Sequence, residues 1–157
     1  MKSLVETSSR KWRSHLGFPF SSAKQAASHL VQLYQQRDRL KKIAFTLIEQ
    51  WNVYFPRSTV PVYLTRVSDK SYSTLRWRLS ATHSNKASQL SFSKEMLDYF
   101  HIAKDRDIVC LFESRRQDID LQLSLVLYEI LRLESYLKNI TTLSEIKKCN
   151  LQESRIK

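Results

Sequence analysis

The stretch VPVYLTRVSDKSYSTLRWRLS, residues 60–80, decides the fold. Val60, Val62 and Leu64 share one parity, and Tyr63, Thr65 and Val67 the other. Further on, Leu75, Trp77 and Leu79 alternate with Thr74, Arg76, Arg78 and Ser80. A period of two is the signature of a half-buried strand. Ser68-Asp69-Lys70-Ser71-Tyr72 between the two runs reads as a turn without glycine. The stretch therefore predicts an antiparallel β-hairpin at about 59–80. Leu90 and Phe92, set between serines, predict a short third strand. A lone hairpin is marginal in water, so Leu75, Trp77 and Leu79 need a helix or a third strand to pack on.

Both flanks read as helix. Upstream, Ala26, Leu30, Leu33, Leu40, Ala44, Leu47, Trp51 and Tyr54 step by fours and threes once Arg37 is included. That spacing is a heptad-like stripe. Ser21 and Ser22 are N-cap candidates, and Pro56 ends the helix because the residue before a proline is pushed out of the α region. Downstream, Ser93 can cap a short helix near Lys94–Phe100. Phe112, Ile119, Leu123, Val126, Ile130, Leu133 and Leu137 then repeat the stripe with Arg116 as a member. This predicts a second long helix over 107–139. The expected class is α+β, mainly α: two long antiparallel helices, an inserted hairpin or three-stranded sheet, and a short helix. Residues 1–20 read as a basic N-terminal arm, 21–140 as a single helical domain and 141–157 as a polar C-terminal tail.

Composition agrees and excludes much. The chain has 157 residues and one glycine, Gly17, where an average chain would carry about eleven. Neither GxxxxGK[ST] nor GxGxxG can be written with one glycine, which disfavours P-loop, Rossmann and kinase chemistry. Cys110 and Cys149 fit no CxxC or Cys/His spacing, and reduced thiols in a cytoplasm are the simplest reading. The N-terminus has no apolar signal region, and no apolar run is long enough to span a bilayer. The expected location is cytoplasmic, with no membrane partner.

Charge is the strongest functional signal. The formal net charge is +11. Residues 1–94 hold 16 Lys+Arg and 4 Asp+Glu, a net +12, whereas residues 95–140 hold 6 and 9, a net −3. Such an excess steers polyanions toward one part of the chain, and nucleic acid is the commonest of these partners. A solvated basic surface is the plainer alternative. The candidate nucleic-acid contacts are Arg66, Lys70, Arg76 and Arg78 on the hairpin, Arg10, Lys11 and Arg13 on the arm, and Lys41 and Lys42 on the first helix. If Leu75, Trp77 and Leu79 face the core, Arg76 and Arg78 face away. A β-ribbon can enter a DNA groove, and arginine pairs bidentately with guanine or phosphate. Equally, Arg76 and Arg78 could pair with acids of the second helix.

Arg37 and Arg116 interrupt the two apolar stripes. Glu113 lies three residues before Arg116 and Asp120 four after it, so all three share a helix face. Arg37, Glu113, Arg116 and Asp120 are expected to form a structural ion network between the helices, with an anion site as the alternative. Catalysis has little to stand on. His15, His29, His83 and His101 form no metal-binding spacing, and Asp98, Asp105, Asp107, Asp118 and their neighbours read as solvated surface. The expectation is a non-enzyme with no cofactor and no metal.

The succession Gln36-Arg37-Asp38-Arg39-Leu40, Phe55-Pro56, Pro61-Val62-Tyr63-Leu64-Thr65, Leu75-Arg76-Trp77-Arg78, Glu113-Ser114-Arg115-Arg116 and Leu121-Gln122-Leu123-Ser124-Leu125 resembles a family carried by integrating conjugative elements and related plasmids. Some of its members bear the label integrase regulator R. The resemblance runs over about residues 15–140, and its most specific piece is the LRWR tetrapeptide. The family pattern has Asn where this chain has Asp120, which weakens inference at that position. The chain is also similar to MobI-type conjugation accessory proteins. The resemblance implies a mobile-element accessory role, DNA as partner, and integrase or relaxase machinery nearby; it carries no catalytic residues. The competing expectation is a protein-interaction or homodimerisation module without direct nucleic-acid contact.

Overall fold

The computed structural model of the protein describes residue 20 and residues 22–68, 73–80 and 89–153. The arm residues Arg10, Lys11 and Arg13, and Lys70 in the turn, lie outside the described residues. In chain order the elements are α1 (Ala23–Tyr54), β1 (Val62–Ser68), β2 (Ser73–Leu79), β3 (Gln89–Leu90), α2 (Lys94–Leu97) and α3 (Ala103–Glu153). The class is α+β, mainly α.

Local chemistry sets the boundaries. The Ser22 hydroxyl accepts the N–H of Gln25 at 3.2 Å and the Ser93 hydroxyl that of Met96 at 3.4 Å, each satisfying an orphan donor of a first helical turn. Pro56 ends α1, and its carbonyl accepts the N–H of Thr59 at 2.9 Å and of Val60 at 3.1 Å to turn the chain into β1. Helix α3 starts four residues earlier than the stripe suggested and continues through residues 141–153. No glycine or proline stops it there, and the Thr141 and Thr142 hydroxyls fold back on the carbonyls of Leu137 and Lys138.

The chain divides into two compact units. One joins Met1–Tyr34 to Glu129–Lys157. Within it, Glu129 accepts from or pairs with His29 at 2.7 Å, and the Tyr34 hydroxyl donates to Glu134. The other unit, Gln35–Tyr128, carries the sheet. Its three strands are antiparallel in the order β1-β2-β3. The β1–β2 register runs from Val62 opposite Leu79 to Ser68 opposite Ser73 without a bulge, and β3 adds only Leu90 opposite Trp77 and Gln89 opposite Arg78.

The core of this unit is aromatic. Trp51 is fully buried, and its ring centroid lies 4.6 Å from those of Phe55 and Trp77, 5.3 Å from Phe112 and 5.9 Å from Phe100. Tilted and edge-on pairs of this kind are the favoured aromatic geometries. Its indole N–H reaches the carbonyl of Val62 at 3.3 Å, so the apolar ring is buried without stranding its donor. The end of α1 thus meets the start of α3. Farther back, Ile43, Thr46 and Leu47 share a groove with Arg115, Asp118 and Ile119, so these two segments run antiparallel. Tyr54, counted in the stripe, is an exception: it is 61% exposed, with its ring against Phe112 and Phe55 at the margin of the cluster.

Candidate nucleic-acid interface

Strand parity sorts the hairpin arginines into two groups. Val62, Leu64, Leu75 and Trp77 are buried on the face turned to the helices. Tyr63, Thr65, Val67, Thr74, Arg76, Arg78 and Gln89 occupy the other face, since successive side chains alternate. Arg66 lies opposite Leu75 in the register and therefore belongs to the face of Val62 and Leu64, at its exposed end. The expected set of Arg66, Arg76 and Arg78 is thus split. Lys41 and Lys42 are on α1, where Lys42 lines the helix–helix groove beside Arg115.

The outer face instead gains a residue that periodicity did not indicate. Arg57, in the turn after Pro56, places its guanidinium carbon 4.3 Å from the centroid of the Tyr63 ring, a cation–π contact. Tyr63 pairs directly with Arg78 across the strands, and Thr65 with Arg76. Arg76 donates from Nη1 to the Gln89 amide oxygen at 3.0 Å. This partner is on β3 and not an acid of the second long helix. The three strands contain no Asp or Glu. One sheet face therefore groups Arg57, Tyr63, Arg76 and Arg78.

The ion network lies along the edge of β2 beyond β3. Arg116 binds Glu113 bidentately, with Nε to Oε2 at 2.7 Å and Nη2 to Oε1 at 2.8 Å. Its Nη1 donates to Asp120 Oδ2 at 2.7 Å and to the carbonyl of Leu75 at 3.0 Å. Glu113 is buried and also accepts from the Trp77 indole and the Gln117 amide, both at 2.7 Å. Asp120 Oδ1 accepts the backbone N–H of Leu75 at 2.7 Å, and Oδ2 the Thr74 hydroxyl at 3.0 Å. The bonds of Glu113, Arg116 and Asp120 join α3 to β2, and Arg37 forms an ion pair with its neighbour Asp38 at 2.8 Å.

Electrostatics follow the geometry. Burial pushes the Glu113 carboxyl up. Hydrogen bonds from Arg116, Gln117 and Trp77, with the Arg116 charge, outweigh burial and hold it below its ordinary value. The hydrogen bond to Glu113 raises Arg116 against its own burial, and the charges of Glu113 and Asp120 add to that. Both groups stay ionised at neutral pH.

Between β2, β3 and α3 lies a cavity of about 370 Å³ whose wall includes Arg76, Gln89, Leu90, Phe92, Arg116 and Gln117. Among the described residues no group of three or more His, Cys, Asp and Glu is placed to hold a metal ion, and no helix is long and apolar enough to cross a membrane. No protein-family model, curated protein or solved structure matches the chain.

Proposed function

We propose that the protein is a non-enzymatic, cytoplasmic DNA-binding accessory protein of a mobile genetic element, acting in conjugation, in integration and excision, or in their regulation. One observation carries the DNA contact: the sheet face that groups Arg57, Arg76 and Arg78 around Tyr63. Guanidinium groups on a rigid sheet suit phosphate, since each presents fixed, always-charged donors. The net +12 of residues 1–94 adds a long-range pull in the same direction. The mobile-element setting rests on the family resemblance alone.

The test is a binding isotherm on the full chain at several salt concentrations. Arg57→Ala, Arg76→Ala and Arg78→Ala combined should weaken DNA binding at least about ten-fold, flatten its salt dependence and leave the melting temperature nearly unchanged. No binding at low salt, or an affinity that ignores salt, would refute the reading.

A second reading has its own observation. Leu121, Leu125 and Tyr128 on α3 recur at helical spacing and are 62%, 60% and 61% exposed, which suits an interaction or dimerisation surface. Light scattering, with capture from nuclease-treated host lysate, separates this reading from direct DNA contact.

A further inference from the structure

We infer that the cavity between β2, β3 and α3 is a pocket for one unstacked nucleobase of a single-stranded nucleic acid. The inference rests on the reading above, that the arginine face holds a phosphodiester backbone.

At about 370 Å³ the cavity falls at the small end of ligand pockets, which begin near roughly 300 Å³. Its wall excludes simpler occupants. Arg116 is already neutralised by Glu113 and Asp120, so those three groups together carry −1 and do not attract an anion, and the other cation of the wall, Arg76, is the one assigned to the backbone phosphate. Both Glu113 oxygens are saturated by four donors, which leaves no carboxylate oxygen open for a cation. What remains suits a flat, neutral, heteroaromatic ring. Leu90 and Phe92 supply apolar walls, and the Gln89 and Gln117 amides supply donors and acceptors at its edge. Phe92 is 37% exposed, and it is an aromatic side chain of the wall that also includes Arg76.

Position joins pocket to face. Arg76 lines the cavity and also stands on the outer face of the sheet. A phosphate held by Arg76 leaves the attached base beside the opening. A base within a duplex is stacked and paired and must first be extruded, whereas a base of a single strand enters at little cost.

The test uses fluorescence anisotropy with the full chain and four probes: oligothymidylate of about fifteen nucleotides, within the span of known single-strand sites, an abasic strand with the same phosphates, oligouridylate, and duplex. Oligothymidylate should bind about ten-fold more tightly than the abasic strand, the usual worth of one stacked base. Phe92→Leu, which keeps an apolar wall but removes the ring, should bring it down to the abasic level, and Phe92→Tyr should restore the gap. If oligouridylate shows the tighter binding and the same response to Phe92→Leu, the pocket stands and takes RNA. Equal binding of thymidylate and abasic strands, or a gap that survives Phe92→Leu, overturns the pocket. In that case salt-dependent binding of abasic strand and duplex would still uphold the arginine face. Failure of every probe at low salt would remove both.

Discussion

Asp120 holds Leu75 as a neighbouring strand would: its Oδ1 accepts the Leu75 N–H at 2.7 Å. Leu75 and Arg66 are opposite one another in the β1–β2 ladder, and the Leu75 N–H and C=O turn toward the β3 side. There β3 has only Gln89 and Leu90 and pairs no farther back than Trp77. Asp120 takes the N–H, and Arg116 donates to the C=O at 3.0 Å. Side chains of α3 thus close a strand edge that would otherwise leave a buried donor and acceptor unpaired.

Asp120→Ala should therefore cost about 2–4 kcal/mol, because it orphans the Leu75 N–H and removes one partner of Arg116. Asp120→Asn keeps one oxygen for the Leu75 N–H but sets an amide NH2 where Oδ2 accepted from Arg116 and Thr74, so a smaller cost of about 1–2 kcal/mol is expected. Urea denaturation of both variants measures the difference. Equal costs would mean that the contact of Oδ2 with Arg116, and not the edge hydrogen bond to Leu75, is what matters.

The helices and the hairpin were legible because their signals are local. Periods of 3.6 and 2 mark α1, α3 and the strands directly, and Pro56 and the serines mark their ends. The shared face of Glu113, Arg116 and Asp120 was legible as well, from spacing alone. Its partner was not, since nothing in a helix sequence says that a carboxylate will meet the backbone of a strand more than forty residues away. Charge alone groups Arg66 with Arg76 and Arg78, yet register decides its face, and register depends on where the turn pairs the strands. Arg57 carried no periodic signal because it sits in a turn, and only the fold of that turn brings it over Tyr63.

Glu113 predicts an acid-labile contact. Its folded carboxyl is held below the ordinary value of about 4.5, so the folded state prefers the carboxylate. Its contribution is complete above that value and is lost as pH falls through the lower folded value. Thermal unfolding followed from pH 7 to 3 should show stability dropping below about pH 4.5, and Glu113→Gln should flatten that part of the curve. Glu113→Gln should also lower stability at pH 7, as Arg116 loses its bidentate partner. An unchanged acid limb would exclude Glu113 as its source.

Trp51 stands at the centre of the aromatic core of the sheet-bearing unit. Its ring meets Phe55, Trp77, Phe100 and Phe112, and its N–H satisfies Val62. Trp51→Ala should cost about 3–5 kcal/mol, a common loss for a buried aromatic. Trp51→Phe keeps most of the packing and gives up the hydrogen bond and some volume, for about 1–2 kcal/mol. Denaturant midpoints rank the two, and near-ultraviolet circular dichroism reads the aromatic cluster directly.

The two faces of the hairpin give the sharpest test of the nucleic-acid reading. Arg66 and Arg76 have the same charge and lie on neighbouring strands, yet parity sets them on opposite faces. Bulk attraction by a net positive charge would treat them alike. Contact through the outer face would not. Arg76→Ala should weaken DNA binding several-fold and reduce the slope of log affinity against log salt by about one, the share of one neutralised phosphate. Arg66→Ala should leave both within about two-fold of the parent. Matched losses from the two substitutions would show that the charge acts as a diffuse field, and the outer face would then have no special claim to the phosphates.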